Sequence, residues 1–330
     1  MKKFLSLILL LFVIPGGKIS AQNSKFTWFK ESDVLKPLIS EIRSTVIKTE
    51  FAFINKLDKN YYVSDYTSRP FIEPHLGVDI PLLNFSNPQK GLKFNLSGEI
   101  GNILLIDMFE EITAPVINTD YFFGLRAGAI KYLDNSRIRN FGIKIVPVFH
   151  ESTHIGDEFS LHGFSDIPDF RRVNISYEAW ELAAVINDPD TISSNLLSFK
   201  TGVQGLWNKK KGYYTTDTLE TKGLIVPGGV RSIEYYFQLN LQRTDGFLCS
   251  ERWMNIFSLE ARNRVKFSYD INIPEERTWN YNFYFGWKHI SETARRNIGF
   301  YLRYYNGIIP NGQFRNTDGY SYMALSIVYN

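Results

Sequence analysis

The feature that most constrains this chain is a two-residue alternation of apolar and polar side chains, repeated along most of its length. Its clearest instance sets Ile233, Tyr235, Phe237, Leu239 and Leu241 against Ser232, Glu234, Gln238, Asn240 and Gln242. A β-strand sends successive side chains to opposite faces, so each such stretch has one face fit for hydrocarbon and one fit for water. Twelve stretches carry the pattern: 44–57, 71–83, 91–103, 118–132, 138–154, 170–186, 195–207, 230–243, 254–271, 278–289, 296–306 and 318–329. The pattern predicts an all-β chain, a transmembrane antiparallel up-and-down β-barrel of about 12 strands. A soluble sandwich also alternates, but it turns its polar face outward and needs fewer large aromatics.

The connections support the same fold. The first, third, fifth, seventh and eleventh are long, whereas the second, fourth, sixth and tenth are shorter. Barrels with both termini in the periplasm have short periplasmic turns and long external loops, so this rhythm predicts an even strand number and an orientation. Phe, Trp and Tyr make up 15% of the residues, in keeping with the aromatic girdles of such barrels.

Residues 1–21 are laid out as a signal peptide, with Lys2 and Lys3, an apolar run from Phe4 to Ile14, and Ile19-Ser20-Ala21 as the cleavage region. The chain is therefore expected in the bacterial outer membrane after cleavage near Ala21. Residues 22–43 are read as a periplasmic lead-in, in which Pro37 argues against a long helix. Residues 44–330 are read as the barrel. No later stretch approaches eighteen consecutive apolar residues, which argues against a helical membrane protein. A net charge of +3 without a basic tract gives no support to nucleic-acid binding. The single cysteine, Cys249, excludes an intrachain disulfide and a thiolate zinc cluster.

One segment concentrates reactive side chains: His150-Glu151-Ser152-Thr153-His154-Ile155-Gly156-Asp157-Glu158, at the end of the fifth strand and the start of an external loop. His150 to His154 satisfies the H-E-x-x-H zinc motif, but that motif needs a helix, and here it follows a strand and runs into Gly156. No metal site is expected. His150 and Ser152, two apart on a strand, share one face, where an imidazole can take a hydroxyl proton. Asn174 or Glu178 on the next strand could orient that imidazole. Asp157 and Glu158 could recruit calcium, a hard cation suited to carboxylates.

Parity opposes a lipid-facing site. Phe141, Ile143, Ile145 and Phe149 mark an apolar face, which predicts that His150, Ser152 and His154 point into the lumen, unless a bulge near Pro147 reverses the order. The same alternation sends Arg172, Asn174, Ser176 and Glu178 inward. It also sends inward Glu73, His75, Asp79, Glu99, Arg126, Glu260, Arg262, Arg264 and Lys266. So many opposite charges would pair across a narrow lumen, and such a network fills an interior without implying chemistry.

The run from His150 to Glu158, followed by Arg172-Val173-Asn174-Ile175-Ser176-Tyr177-Glu178, resembles the uncharacterised bacterial family called domain of unknown function 1207, as does Asn311-Gly312-Gln313-Phe314. That resemblance implies an envelope protein without an assigned activity. The His-x-Ser pair on a strand is also similar to outer-membrane phospholipase A and the outer-membrane lipid A deacylase. There the resemblance implies a Ser nucleophile on the outer wall. Met323, Leu325, Ile327 and Tyr329 resemble the C-terminal signal of outer-membrane barrels, with the usual terminal aromatic displaced by Asn330, and imply the barrel assembly machinery as a partner.

The reading that follows is a barrel with a polar, largely filled lumen that binds or passes a small solute at its external mouth, through His154, Asp157, Glu158 and Arg172 beside His150. The alternatives are a lipid hydrolase using Ser152, His150, Asn174 and Glu178, with outer-membrane lipids as partners, and a structural envelope protein.

Overall fold

A computed structural model of the chain describes residues 24–30, 34–54, 70–108, 114, 116–134, 137–155, 173–189, 195–207, 213–215, 233–244, 253–266, 276–289, 297–312 and 319–329. The proposed signal peptide, Cys249, Asp157, Glu158 and Arg172 lie outside them. The elements are β1 (Lys25–Trp28), β2 (Ile47–Ile54), β3 (Pro70–Asn87), β4 (Leu92–Asp107), β5 (Val116–Tyr132), β6 (Asn140–Ile155), β7 (Val173–Ile186), β8 (Leu196–Leu206), β9 (Tyr213–Thr215), β10 (Ile233–Arg243), β11 (Trp253–Lys266), β12 (Glu276–His289), β13 (Ile298–Gly307) and β14 (Tyr320–Tyr329).

Every pairing is antiparallel, and the hydrogen-bonded order runs β2, β14, β13, β12, β11, β10, β8, β7, β6, β5, β4, β3 and back to β2. Two strands are short additions: β1 pairs with the lower end of β3, and β9 with the upper end of β7. The remaining twelve close on themselves, which leaves the wall with no open edge. The expected strand number and topology are therefore correct.

The two faces are sorted as the alternation requires. Outward positions on the C-terminal strands carry Trp279, Tyr281, Phe285, Phe300, Leu302, Met323, Leu325 and Ile327, all large and exposed. A contiguous apolar outer surface on a closed barrel is what a bilayer demands and water does not. Inward positions are polar and paired. Arg303 bonds Glu50, reaches Asn282 at 2.8 Å and lies 3.4 Å from Glu73. Lys48 sits 3.1 Å from Glu50 and donates to the Tyr284 hydroxyl at 2.8 Å. Arg126 pairs with Asp79 and, at 3.1 Å, with Glu99, while Arg262 pairs with Glu260 at 2.9 Å. The inward assignments of Glu73, His75, Asp79, Glu99, Arg126, Glu260, Arg262 and Arg264 fit these contacts and their burial.

The segment before β2 differs from expectation. Residues 34–46 run inside the barrel rather than hanging beneath it. Val34, Leu35, Leu38, Ile42 and Val46 are buried, as are Ser40, Glu41 and Ser44. The wall is shaped to receive them: a Cβ on Gly77 would come within 2.5 Å of the Thr45 Cα, and one on Gly142 within 3.0 Å of a Leu35 methyl. Polar contacts pin the segment to both sides. Asn282 donates to the Ser40 carbonyl at 2.7 Å, Ser258 to the Ser40 hydroxyl at 2.9 Å, and Lys200 to Glu41 at 2.5 Å. Burial pushes the Glu41 carboxyl up, but Lys200 and Lys144 together outweigh it and hold the group below the ordinary carboxylate range.

At the other end, residues 308–312 fold in over the lumen. Ile308 N–H donates to Asn280, and the Gly312 N–H lies 3.1 Å from an Asp120 carboxylate oxygen. Between plug and wall, the gap beside Glu41, Arg43 and Arg262 measures about 30 Å³, and the one beside Arg43, His75 and Asn311 about 10 Å³. Spaces of this size hold water, not a solute.

Candidate active site on the outer wall

The chemistry-bearing end of β6 does not face the lumen. Against β5, the register passes from Leu125↔Val148 to Ala127↔Ile145, so three steps on β6 match two on β5. Against β7 it passes from Val146↔Glu181 to Phe149↔Ala179, again with one extra residue on β6. This is a β-bulge at Val146–Phe149, and an odd insertion swaps the faces of everything beyond it. Pro147 lies in it, where the missing N–H costs the ladder nothing. The Trp207 indole donates to the Pro147 carbonyl at 2.7 Å, which gives the exposed oxygen a partner.

Before the bulge, Gly142, Lys144 and Val146 are inward; after it, Glu151 and Thr153 are buried, at 1% and 0% exposure. Phe149 is an inward residue too, its ring 5.8 Å from that of buried Phe122. The expectation that Phe149 marks the lipid face and that His150, Ser152 and His154 point into the lumen is therefore corrected. The three polar side chains line the outside. On β7, Tyr177, Ala179 and Ala183 are buried, so Ser176 and Glu178, expected inward, also stand on the outer face.

Neighbouring strands bring these residues together. Ser152 is paired with Ser176, and His150 with Glu178. The His150 Nδ1 lies 3.5 Å from a Glu178 carboxylate oxygen, both side chains being partly exposed. The Ser152 Oγ lies 3.2 Å from His154 Nε2, so the hydroxyl donates when that nitrogen is unprotonated. From β5, Phe123 stacks on the His150 ring at 4.8 Å, and Tyr121 meets His154 edge-on at 5.9 Å. Two imidazoles thus flank one hydroxyl, each braced by an aromatic ring, with a carboxylate behind one of them. Asn174 belongs to β7, where its backbone pairs with Tyr214, and its side chain is outside the described residues.

Sequence reasoning missed the aromatic braces Tyr121 and Phe123, whose signal was their outward parity on β5. It also missed Arg43, Glu151 and Tyr177 on the inner side of the same wall. The Arg43 guanidinium donates to Glu151 at 2.7 Å and to the Tyr177 hydroxyl at 3.0 Å, and Tyr177 donates to Glu151 at 2.5 Å.

Three buried groups, Glu50, Glu73 and His75, are close enough to share a cation. Arg303 and Lys48 both pair with Glu50, and Arg303 also lies 3.4 Å from Glu73, so the carboxylates already have cationic partners in a charge network.

The model of a family described as "Protein of unknown function (DUF1207)" matches residues 27–193. No curated protein matches the chain. Among solved structures, outer membrane phospholipase A from Escherichia coli is 11% identical, with 87% of this chain and 93% of that chain covered and a TM-score of 0.47. The transport unit of the autotransporter AIDA-I from Escherichia coli is 11% identical over 89% and 92%, at a TM-score of 0.46. LpxR from Salmonella typhimurium is 10% identical over 86% and 99%, at a TM-score of 0.33. At these identities and scores the solved structures bear on neither the site nor its chemistry.

Proposed function

We propose that this chain, which belongs to the DUF1207 family of proteins of unknown function, is an outer-membrane hydrolase of lipid acyl esters. The observation that carries this is the bulge at Val146–Phe149, which turns Ser152 and both imidazoles to the outer wall. The outward row of β6 reads Phe141, Ile143 and Ile145, then His150, Ser152 and His154. Hydrocarbon-compatible side chains give way to polar ones there, near the external end of the strand. Lipid ester groups occupy that kind of boundary, between acyl chains and headgroups. A solute-binding role at the mouth has less support, because residues 34–46 and 308–312 fill the described interior.

In the proposed reaction Ser152 Oγ attacks the ester carbonyl and passes its proton to an imidazole. That imidazole then protonates the departing alkoxide, and water cleaves the acyl-enzyme by the same route in reverse. His150 is assigned as the base because Glu178 stands behind it, giving the nucleophile, base and orienting acid their usual relation. The Ser152 hydroxyl rests on His154, so the proposed reaction requires it to turn toward His150 about χ1, a change between staggered rotamers. Asp157 and Glu158 of the following loop supply the carboxylates that a calcium ion would take. The proposal includes export through a signal peptide cleaved near Ala21.

The test is release of fatty acid from phospholipid or lipid A vesicles by the purified barrel. Ser152→Ala is expected to lower it by roughly 10⁶-fold, and full hydrolysis by that variant would end the assignment. His150→Ala should cost as much as Ser152→Ala. If His154→Ala does so and His150→Ala does not, the base is His154.

A further inference from the structure

We propose that Arg43 is a positioning residue, which grips Glu151 and Tyr177 from inside the barrel and so locks the outer end of β6 with His150 and Ser152 turned to the lipid. Its activity readout rests on the hydrolase reading above; its orientation readout does not.

Glu151 lies between His150 and Ser152 in the chain, and Tyr177 lies between Ser176 and Glu178. The two are paired across β6 and β7. Because alternate side chains take opposite faces, holding Glu151 inward obliges both of its neighbours outward. The apolar pattern of β6 does not demand this. Continued without a bulge, it would place Phe149 against lipid and Ser152 in the lumen, and it would send Glu151 toward hydrocarbon. A carboxylate cannot be left there unpaired, and the lumen offers it a partner.

That partner is shaped for it. Arg43 presents Nη2 to one Glu151 oxygen at 2.7 Å and Nε to the other, a two-pronged contact that a lysine cannot reproduce. The same Nη2 donates to Tyr177 at 3.0 Å, so one guanidinium ties both strands of the site together. Glu151 and Tyr177 are each 1% exposed. Arg43 is itself anchored two and three residues earlier. Glu41 is held by Lys200 and Lys144, and Ser40 by Ser258 and Asn282 on the opposite wall. The plug therefore transmits the position of β11 and β12 to the site-bearing ends of β6 and β7.

The experiment uses the full-length protein, with Cys249→Ser to remove the native thiol and Ser152→Cys to carry a fluorophore, in phosphatidylcholine vesicles containing brominated lipid. With Arg43 present the label should be quenched by the lipid. Arg43→Met should lose most of that quenching in a barrel that still migrates as folded on an unheated gel, and Arg43→Lys should give an intermediate loss. With Ser152 intact, Arg43→Lys should lower kcat by about 10²-fold, the scale of a misplacement of about 1 Å at the reacting groups, and leave KM unchanged. Unchanged quenching in the folded Arg43→Met and Arg43→Lys barrels would overturn the proposal. If Arg43→Met does not fold, the Arg43→Lys result decides alone. A barrel whose quenching depends on Arg43 but which hydrolyses nothing would retain the clamp and refute the hydrolase. One that hydrolyses and keeps its quenching without Arg43 would do the reverse.

Discussion

The C-terminal wall and the outer end of β6 are built from the same alternation and end in opposite results. From β10 to β14 the register runs without a shift, and the large exposed apolar side chains keep to one parity along each strand. On β6 the same rule holds up to Val146 and then inverts, because one extra residue enters the strand. The C-terminal wall meets lipid outside, and inside it meets the charge network and the buried segment around Ser40, none of which needs a side chain re-aimed. At β6 the break moves two imidazoles and a serine out of the lumen. A parity argument is therefore as good as the ladder is regular, and bulges gather where a side chain has to be re-aimed.

Removing the break is the strongest way to test this contrast. Deleting Pro147 should restore the ordinary parity, turn Ser152 inward and cut hydrolysis by roughly 10⁶-fold, as far as loss of the nucleophile does. Lipid quenching of a label at position 152 would report the turn directly. A barrel that hydrolyses normally without Pro147 would show that the bulge is not what places the site.

Next in size is the interior of the regular wall. Arg303→Ala leaves Glu50 and Glu73 facing each other without their guanidinium, and the loss of one partner from a buried charge pair costs about 3–5 kcal/mol. Urea unfolding in lipid vesicles would measure it. A loss below 1 kcal/mol would mean that the inner charges are compensated by water.

The outer faces of the two regions should differ as well. Leu302→Arg, midway along β13, should destabilise the barrel by about 2–4 kcal/mol, while His154→Arg at the external edge should cost about 0–1 kcal/mol. Equal costs would show that the β6 end lies as deep in the bilayer as the middle of β13, against the proposed ester-level position.

The smallest effect concerns the plug. The Glu41 carboxyl is depressed in the folded state, so its contribution is present above the ordinary carboxylate value of about 4.3 and is lost as pH falls through the depressed value. The protection of amides in residues 34–46, measured against their intrinsic exchange rate at each pH, should therefore fall on acidification below that range. Glu41→Gln should remove this pH dependence.

Much of the fold could be read from residues one at a time. Trp279, Tyr281 and Phe285 against Asn280, Asn282 and Lys288 assign a face by chemistry alone. Loop lengths supplied an expected orientation. The candidate site was legible as a cluster, since no other stretch resembles His150 to His154, but not as a geometry. Its orientation depends on where one residue is added between Ile145 and Phe149, and a proline there permits a bulge without compelling one. The plug was illegible for a different reason. Residues 34–46 carry neither a strand period nor a helix period, and three of their partners, Lys200, Ser258 and Asn282, lie more than 150 residues away.

The sequence by itself determined that this chain closes into a transmembrane barrel of about twelve strands, because a two-residue period of apolar and polar side chains satisfies lipid and backbone together only in a closed barrel. Tertiary structure alone decided which way Ser152 faces and what occupies the lumen. Both depend on contacts between distant segments: the pairing of β6 with its two neighbours, and the grip of Arg43 on a carboxylate across the wall.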